Sequence, residues 1–142
     1  PPEPLPSILT ATISAPSLQH ETVWRGSCLE IFGARLERPE IGQLFLVPPF
    51  ADTPPQAFIN GDNTQIPTDK ITINGTSLPE GYTVKARIPA DLLNLDLKRE
   101  TILLEFQLSL PAPNRKMRHL TAFGSLRAYQ NKQNYGLFNI ID

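Results

Sequence analysis

Residues 82–88 read Tyr-Thr-Val-Lys-Ala-Arg-Ile, and their alternation decides the fold class. Successive side chains of an extended strand point to opposite faces, so Tyr82, Val84, Ala86 and Ile88 share one side and Thr83, Lys85 and Arg87 the other. The same period of two runs outward in both directions. Residues 101–110 place Ile102, Leu104, Phe106, Leu108 and Leu110 on one face. Residues 7–14, Ser-Ile-Leu-Thr-Ala-Thr-Ile-Ser, read as a first strand, and residues 27–32 as a second that ends at Gly33. Residues 43–47, Gln-Leu-Phe-Leu-Val, form an apolar run of strand length stopped by Pro48-Pro49. Shorter runs at 57–59 and 70–73 end in Asn60-Gly61-Asp62-Asn63 and Asn74-Gly75, which are turn signals. Residues 120–129 and 135–141 read as a closing pair joined by the polar turn 130–134. Eight or nine short strands so spaced predict an all-β sandwich or barrel. One segment, 90–97, reads as at most a short helix: it follows Pro89 and carries Leu92, Leu93, Leu95 and Leu97.

Composition agrees. The 142 residues suit one domain, since two would each be starved of core. Fifteen prolines disfavour long helices. No apolar run approaches the roughly 18 residues that span a bilayer, so direct membrane insertion is not expected. Residues 1–6, Pro-Pro-Glu-Pro-Leu-Pro, read as an extended spacer cut from something longer. The domain is then 7–142, with 111–142 as an added closing hairpin. A net charge of −1 argues against nucleic acid as a partner. From Gln107 onward, however, Arg115, Lys116, Arg118, Arg127 and Lys132 face a single acid, Asp142. A solvated hairpin accounts for them, and an anionic partner is the alternative. Cys28 has no second cysteine to pair with and reads as a buried core thiol.

Residues 26–36 run Gly-Ser-Cys-Leu-Glu-Ile-Phe-Gly-Ala-Arg-Leu. A glycine, an alternating strand, a second glycine and an apolar residue three positions on resemble the opening of immunoglobulin-like IPT/TIG domains. Leu29 and Ile31 would enter the core, Gly33 would permit a tight turn, and Leu36 would fold back as a cap. Val84-Lys85-Ala86-Arg87-Ile88-Pro89 resembles the apolar-Pro strand of that pattern. The resemblance spans about residues 16–110; the stretch from Phe50 to Glu80 is longer than the pattern, and the last thirty-odd residues exceed it. It implies an immunoglobulin-like antiparallel β-sandwich used as a spacer, adhesive, dimerisation or enzyme-companion module, without catalysis of its own.

Catalytic grammar is missing. His20 and His119 have no second ligand at metal spacing, and one cysteine leaves no zinc pattern. Gly124-Ser125 holds one of the two glycines of a nucleophile elbow. No glycine-rich phosphate loop follows a strand, and no cofactor or metal is expected. Asn60, Asp62, Asn63 and Asp69 offer oxygen ligands suited to Ca²⁺ but lack the loop spacing and the closing Glu, so a hairpin turn explains them. Scattered carboxylates leave a glycosidase pair open, with surface solvation the better account. Asn74-Gly75-Thr76 matches the glycosylation acceptor pattern.

Aromatic residues are the remaining route to function. Trp24, Phe50, Tyr82, Tyr129 and Tyr135 could stack sugars or anchor an interface. All but Phe50 read as core or core edge. Phe50 sits in the Pro-rich loop 47–55 and reads as an exposed contact residue. The expected binding residues are therefore Phe50, Trp24, Arg115, Lys116, Arg118 and Arg127. The reading that results is a non-catalytic interaction or spacer module of a larger extracytoplasmic or surface protein, contacting a protein partner or neighbouring domain. The alternative is a carbohydrate-binding module that takes a glycan on exposed aromatics.

Overall fold

The computed structural model describes residues 7–13, 26–59, 64–67, 69–96, 98, 101–112 and 115–139, with 7–13, 112 and 115–117 described through their backbone. The expected spacer 1–6, Trp24, His20 and the turn 60–63 lie outside the described residues. Those described form an all-β antiparallel sandwich. Its strands are β1 (Ser7–Ile13), β2 (Cys28–Ala34), β3 (Ile41–Val47), β4 (Gln56–Ile59), β5 (Thr64–Gln65), β6 (Thr72–Leu78), β7 (Gly81–Ile88), β8 (Thr101–Ala112), β9 (Arg115–Thr121) and β10 (Gly136–Asn139). Among the described residues these ten exceed the expected eight or nine, chiefly because β5 is only two residues long and carries no pattern to read.

The smaller sheet has the order β1-β7-β6, and the larger runs β10-β8-β2-β3-β4-β5 with β9 also on β8. β8 pairs β2 through residues 103–109, β10 through 101–104 and β9 through 107–112. A strand has two edges, so β9 and β10 share the edge opposite β2, one after the other. This overturns the expected closing pair: β9 hairpins back onto β8, and β10 never pairs with β9. Residues 122–135 run as bends and turns, and the positive φ of Gly124 and Arg127, 77° and 52°, breaks any extended run through 124–127.

The core lies between the sheets. Leu29, Ile31, Leu44, Leu46 and Ala57 of the large sheet meet Ala86 and Ile88 of β7, together with Ile66, Ile71, Leu93, Leu95 and Ile102. The alternation of residues 82–88 appears as read: Tyr82, Val84, Ala86 and Ile88 are buried while Lys85 and Arg87 are exposed. Cys28 is buried as well.

The expected helical segment is a 3-10 turn, Ala90–Leu93, closed by Asn94 in the left-handed region at φ 55°. It fits because Gly33 and Gly42 stand opposite each other on β2 and β3. A Cβ on Gly33 would lie 2.8 Å from the Leu93 carbonyl oxygen, and one on Gly42 2.5 Å from the same atom. Gly33 is therefore not a turn residue as expected. It lies inside β2, and its missing side chain is the space that Leu93 occupies. Leu36, expected to cap the core, is 58% exposed beyond the strand end. Asn74-Gly75 likewise does not end a strand but lies within β6, where a Cβ on Gly75 would come 2.8 Å from Pro49 Cδ. That glycine admits the Pro-rich loop rather than a turn.

Gly42→Ala should cost about 1–3 kcal/mol, since its neighbours are backbone atoms that cannot rotate away. Denaturant unfolding would show a lower midpoint at an unchanged slope; a midpoint equal to wild type would contradict this packing.

Candidate ligand-binding face

The large sheet buries both faces, and the outer one is unusual. Its end nearest β10 is covered by residues 122–135, which bring Ala128 and Tyr135 onto Phe32, Ala34 and Leu103. The Phe32 and Tyr135 rings stand 6.2 Å apart, and the Tyr135 hydroxyl donates to the Ala128 carbonyl. What ties this loop down is Glu105, which has no solvent exposure. One oxygen accepts the backbone N–H of Phe106 at 2.9 Å and of Phe123 at 3.0 Å. The other accepts the Ser125 N–H at 3.3 Å and its hydroxyl at 2.6 Å. Both oxygens are thereby committed to structure.

Next to this covered end lies a polar row. Register places Phe58, Phe45, Glu30, Gln107 and Thr121 in line across β4, β3, β2, β8 and β9. Glu30 is only 3% exposed. Its Oε2 accepts amide N–H groups from Gln43 at 3.3 Å and Gln107 at 3.2 Å. One rung along, buried Ser109 faces Cys28 on one side and exposed His119 on the other. The His119 Nδ1 lies 3.2 Å from the Ser109 hydroxyl and 3.3 Å from the Gln107 amide. With donors on both sides Nδ1 acts as acceptor, which leaves the proton on Nε2. Burial lowers the imidazole's affinity for a second proton, in keeping with a neutral ring.

Among the described residues no basic side chain is paired with Glu30. Burial pushes its carboxyl up to about 7, against the smaller opposing effect of hydrogen bonds from Gln43, Gln107 and Ser109. The same burial, with Glu30 as a secondary cause, raises the Cys28 thiol to about 12, so it is no nucleophile. Glu30 and Glu105 are diagonal neighbours on this face. Glu105 is too fully engaged to act as the second member of a carboxylate pair.

The residues expected to bind do not gather here. Phe50 is 38% exposed in the β3–β4 connection, where it exchanges backbone hydrogen bonds with Thr53 at 3.1 and 2.8 Å. Arg115, Lys116 and Arg118 lie on β9, three strands from β3. Arg127 is exposed in the loop beyond it, its carbonyl accepting the N–H groups of Gln130 and Asn131. Lys132, counted with that basic group, instead donates its ammonium to the carbonyls of Arg35, Leu36 and Arg38. Tyr82 and Tyr135 are buried as expected, but Tyr129 is 54% exposed rather than core. A concavity of about 350 Å³ at one end of the sandwich is lined by Arg35, Arg38, Glu40, Asp91, Asn94 and Leu95. Its acids balance its arginines, and Arg35 Nε is taken by the Asn94 carbonyl. Among the described residues no group of three or more His, Cys, Asp or Glu could hold a metal, and no helix is long and apolar enough to cross a membrane.

No family model and no curated protein matches the sequence. The fold is similar to that of a carbohydrate binding module family 9 from Caldicellulosiruptor kristjanssonii in complex with cellotriose, with TM-score 0.67 and 17% identity over 93% of this chain and 67% of that one. The structure of such a module from the same organism with glucose gives TM-score 0.63 and 19% identity, over 93% and 69%. At such identities the likeness establishes a shared β-sandwich architecture.

Because the folded Glu30 carboxyl titrates above its unfolded value, its contribution to stability is complete below about pH 4.5 and is lost as pH rises through about 7. The difference is worth roughly 3 kcal/mol. Glu30→Gln keeps an acceptor for both amides and cannot ionise, so its melting temperature should fall less than wild type between about pH 5 and 8. Parallel curves for the two proteins would rule out a titrating Glu30.

Proposed function

We propose that this domain is a non-catalytic carbohydrate-binding module whose site is the outer face of the large sheet. The observation that carries the reading is the convergence of Gln43, Glu30, Gln107, Ser109 and His119 on one patch. Amides, a carboxyl, a hydroxyl and a neutral imidazole offer both donors and acceptors, which is what sugar hydroxyls require. Half-buried Phe58, in line with Glu30 on the same row, adds a ring for the apolar side of a pyranose. The architecture shared with modules solved with cellotriose and glucose supports a sugar rather than another polar ligand. The amides, hydroxyl and neutral imidazole grouped around Glu30 carry no charge, which favours a neutral glycan on this face. An extracytoplasmic or cell-surface setting, where polysaccharides are met, goes with the reading.

A protein-contact role has its own support at a different place. Leu120, Phe123, Leu126, Tyr129, Leu137 and Phe138 are all exposed around β9, β10 and the loop between them. Phe123 and Phe138 pack edge to face at 5.8 Å. An apolar edge of this kind suits a neighbouring domain.

Affinity electrophoresis through gels of neutral polysaccharides tests the glycan reading. Retardation by at least one polymer is expected, and Gln107→Ala should weaken it about tenfold by removing an amide that holds both Glu30 and His119. Unretarded migration in every neutral gel would sink it.

A further inference from the structure

The outer face of the small sheet is a different surface, and nothing in the reading above uses it. Lys85 and Arg87 extend from β7 into solvent on the side away from the core. Register sets exposed Asn74 of β6 opposite Lys85, and exposed Thr72 opposite Arg87. Thr76 and Thr83 make the next rung. Thr72, Asn74, Lys85, Ala86 and Arg87 line a shallow depression of about 240 Å³, and none of these is acidic.

Cations on a solvated strand are ordinary. Here two of them flank one depression, and neither has an ion pair or hydrogen bond among the described residues. Arg35 and Lys132 show the contrast, because both are spent on backbone carbonyls. Side chains two apart on a strand stand roughly 7 Å apart at their Cβ atoms, so two long cationic chains can close on one group between them. A guanidinium and an ammonium supply only donors, and Thr72 and Asn74 add a hydroxyl and an amide beside them. The matching ligand has a small oxyanion with hydroxyls around it. A nucleic acid would need a longer row of cations to hold successive phosphates.

We propose that the depression between Lys85 and Arg87 binds the sulfate ester or carboxylate group of an acidic polysaccharide. Lys85 and Arg87 hold the oxyanion, and Thr72 and Asn74 contact the adjoining sugar hydroxyls. The site is independent of the neutral-glycan face, on the opposite sheet, so either can fail without the other.

Affinity electrophoresis of the full chain in gels containing a sulfated glycan, a polyuronate, a neutral β-glucan or DNA tests the proposal. Wild type should be retarded by the sulfated glycan or the polyuronate at low salt. The retardation should fade near 0.3 M salt, where the screening length drops to about 6 Å. Which acidic gel retards it tells sulfate from carboxylate. The double variant Lys85→Ser with Arg87→Ser should bind about tenfold more weakly or worse, with its melting temperature and its behaviour in the neutral gel unchanged. Should that variant melt low, Arg87→Lys and Arg87→Gln decide: the charge-retaining change keeps most of the retardation and the neutral one loses it. Equal retardation of wild type and the charge-removing variants, free migration of wild type in both acidic gels, or retention by DNA alone would each overturn the proposal.

Discussion

Four donors converge on the Glu105 carboxylate, and the large sheet has its second covered face because they do. A buried carboxyl group is costly unless its oxygens are hydrogen-bonded. Here three of the four donors come from the β9–β10 loop, so the loop stays folded over the sheet in the arrangement that aims Phe123 N–H and Ser125 at the carboxyl group. That arrangement seats Ala128 and Tyr135 against Phe32. It also sets the border at which covered sheet gives way to the row of Glu30, Gln107 and Ser109. The candidate site is in this sense the part of the outer face beyond the loop, where Glu30 and Ser109 are buried and half-buried Gln43 and Gln107 and exposed His119 reach solvent.

Architecture was legible where one physical cause governs the pattern. Residues 82–88 face a core on one side and water on the other, so burial alone dictates their alternation. β8 follows two masters. Ile102 faces the core, but Leu103, Glu105 and Ser109 on the opposite side are buried too, beneath the loop or within the polar row. Of residues 120–129 only 120 and 121 belong to a strand, and the apolar members beyond them form no strand face: Leu126 and Tyr129 are exposed, while Ala128 fills a gap in the cover. Glycines misled for a related reason. Gly33 and Gly75 are close-approach positions, and the residues set most tightly against them, Leu93 and Pro49, are 60 and 26 positions distant in the chain.

The polar site was hidden more deeply. Gln43 and Glu30 each sit in an otherwise apolar strand, where a lone polar residue is ordinarily taken for the solvent side, and Gln107 shares its strand with Glu105 and Ser109. Only the strand order β3-β2-β8, with its register, brings the three to adjacent positions. A faint signal was present: Glu30 shares its strand face with Cys28 and Phe32, both wholly buried, and a carboxylate between two such neighbours is out of place. Basic residues, by contrast, were counted by their nearness in sequence. A pair grouped in space, Lys85 with Arg87 beside Thr72 and Asn74, falls on a strand whose apolar half carries its pattern.

The placement of β9 and β10 along one edge of β8 bears on how such a domain diversifies. Both strands are held by β8 independently, β9 at one end of it and β10 at the other. The segment between them is thus suspended from two fixed points without belonging to a ladder. Insertions or deletions in it shift no strand register and expose no core residue between the sheets. Over evolutionary time the exposed residues of a loop so hung, such as Leu126, Arg127 and Tyr129, are free to change while Phe123, Ser125, Ala128 and Tyr135 keep it seated, and because the loop borders the polar row, each change would redraw the outline of the site beside it.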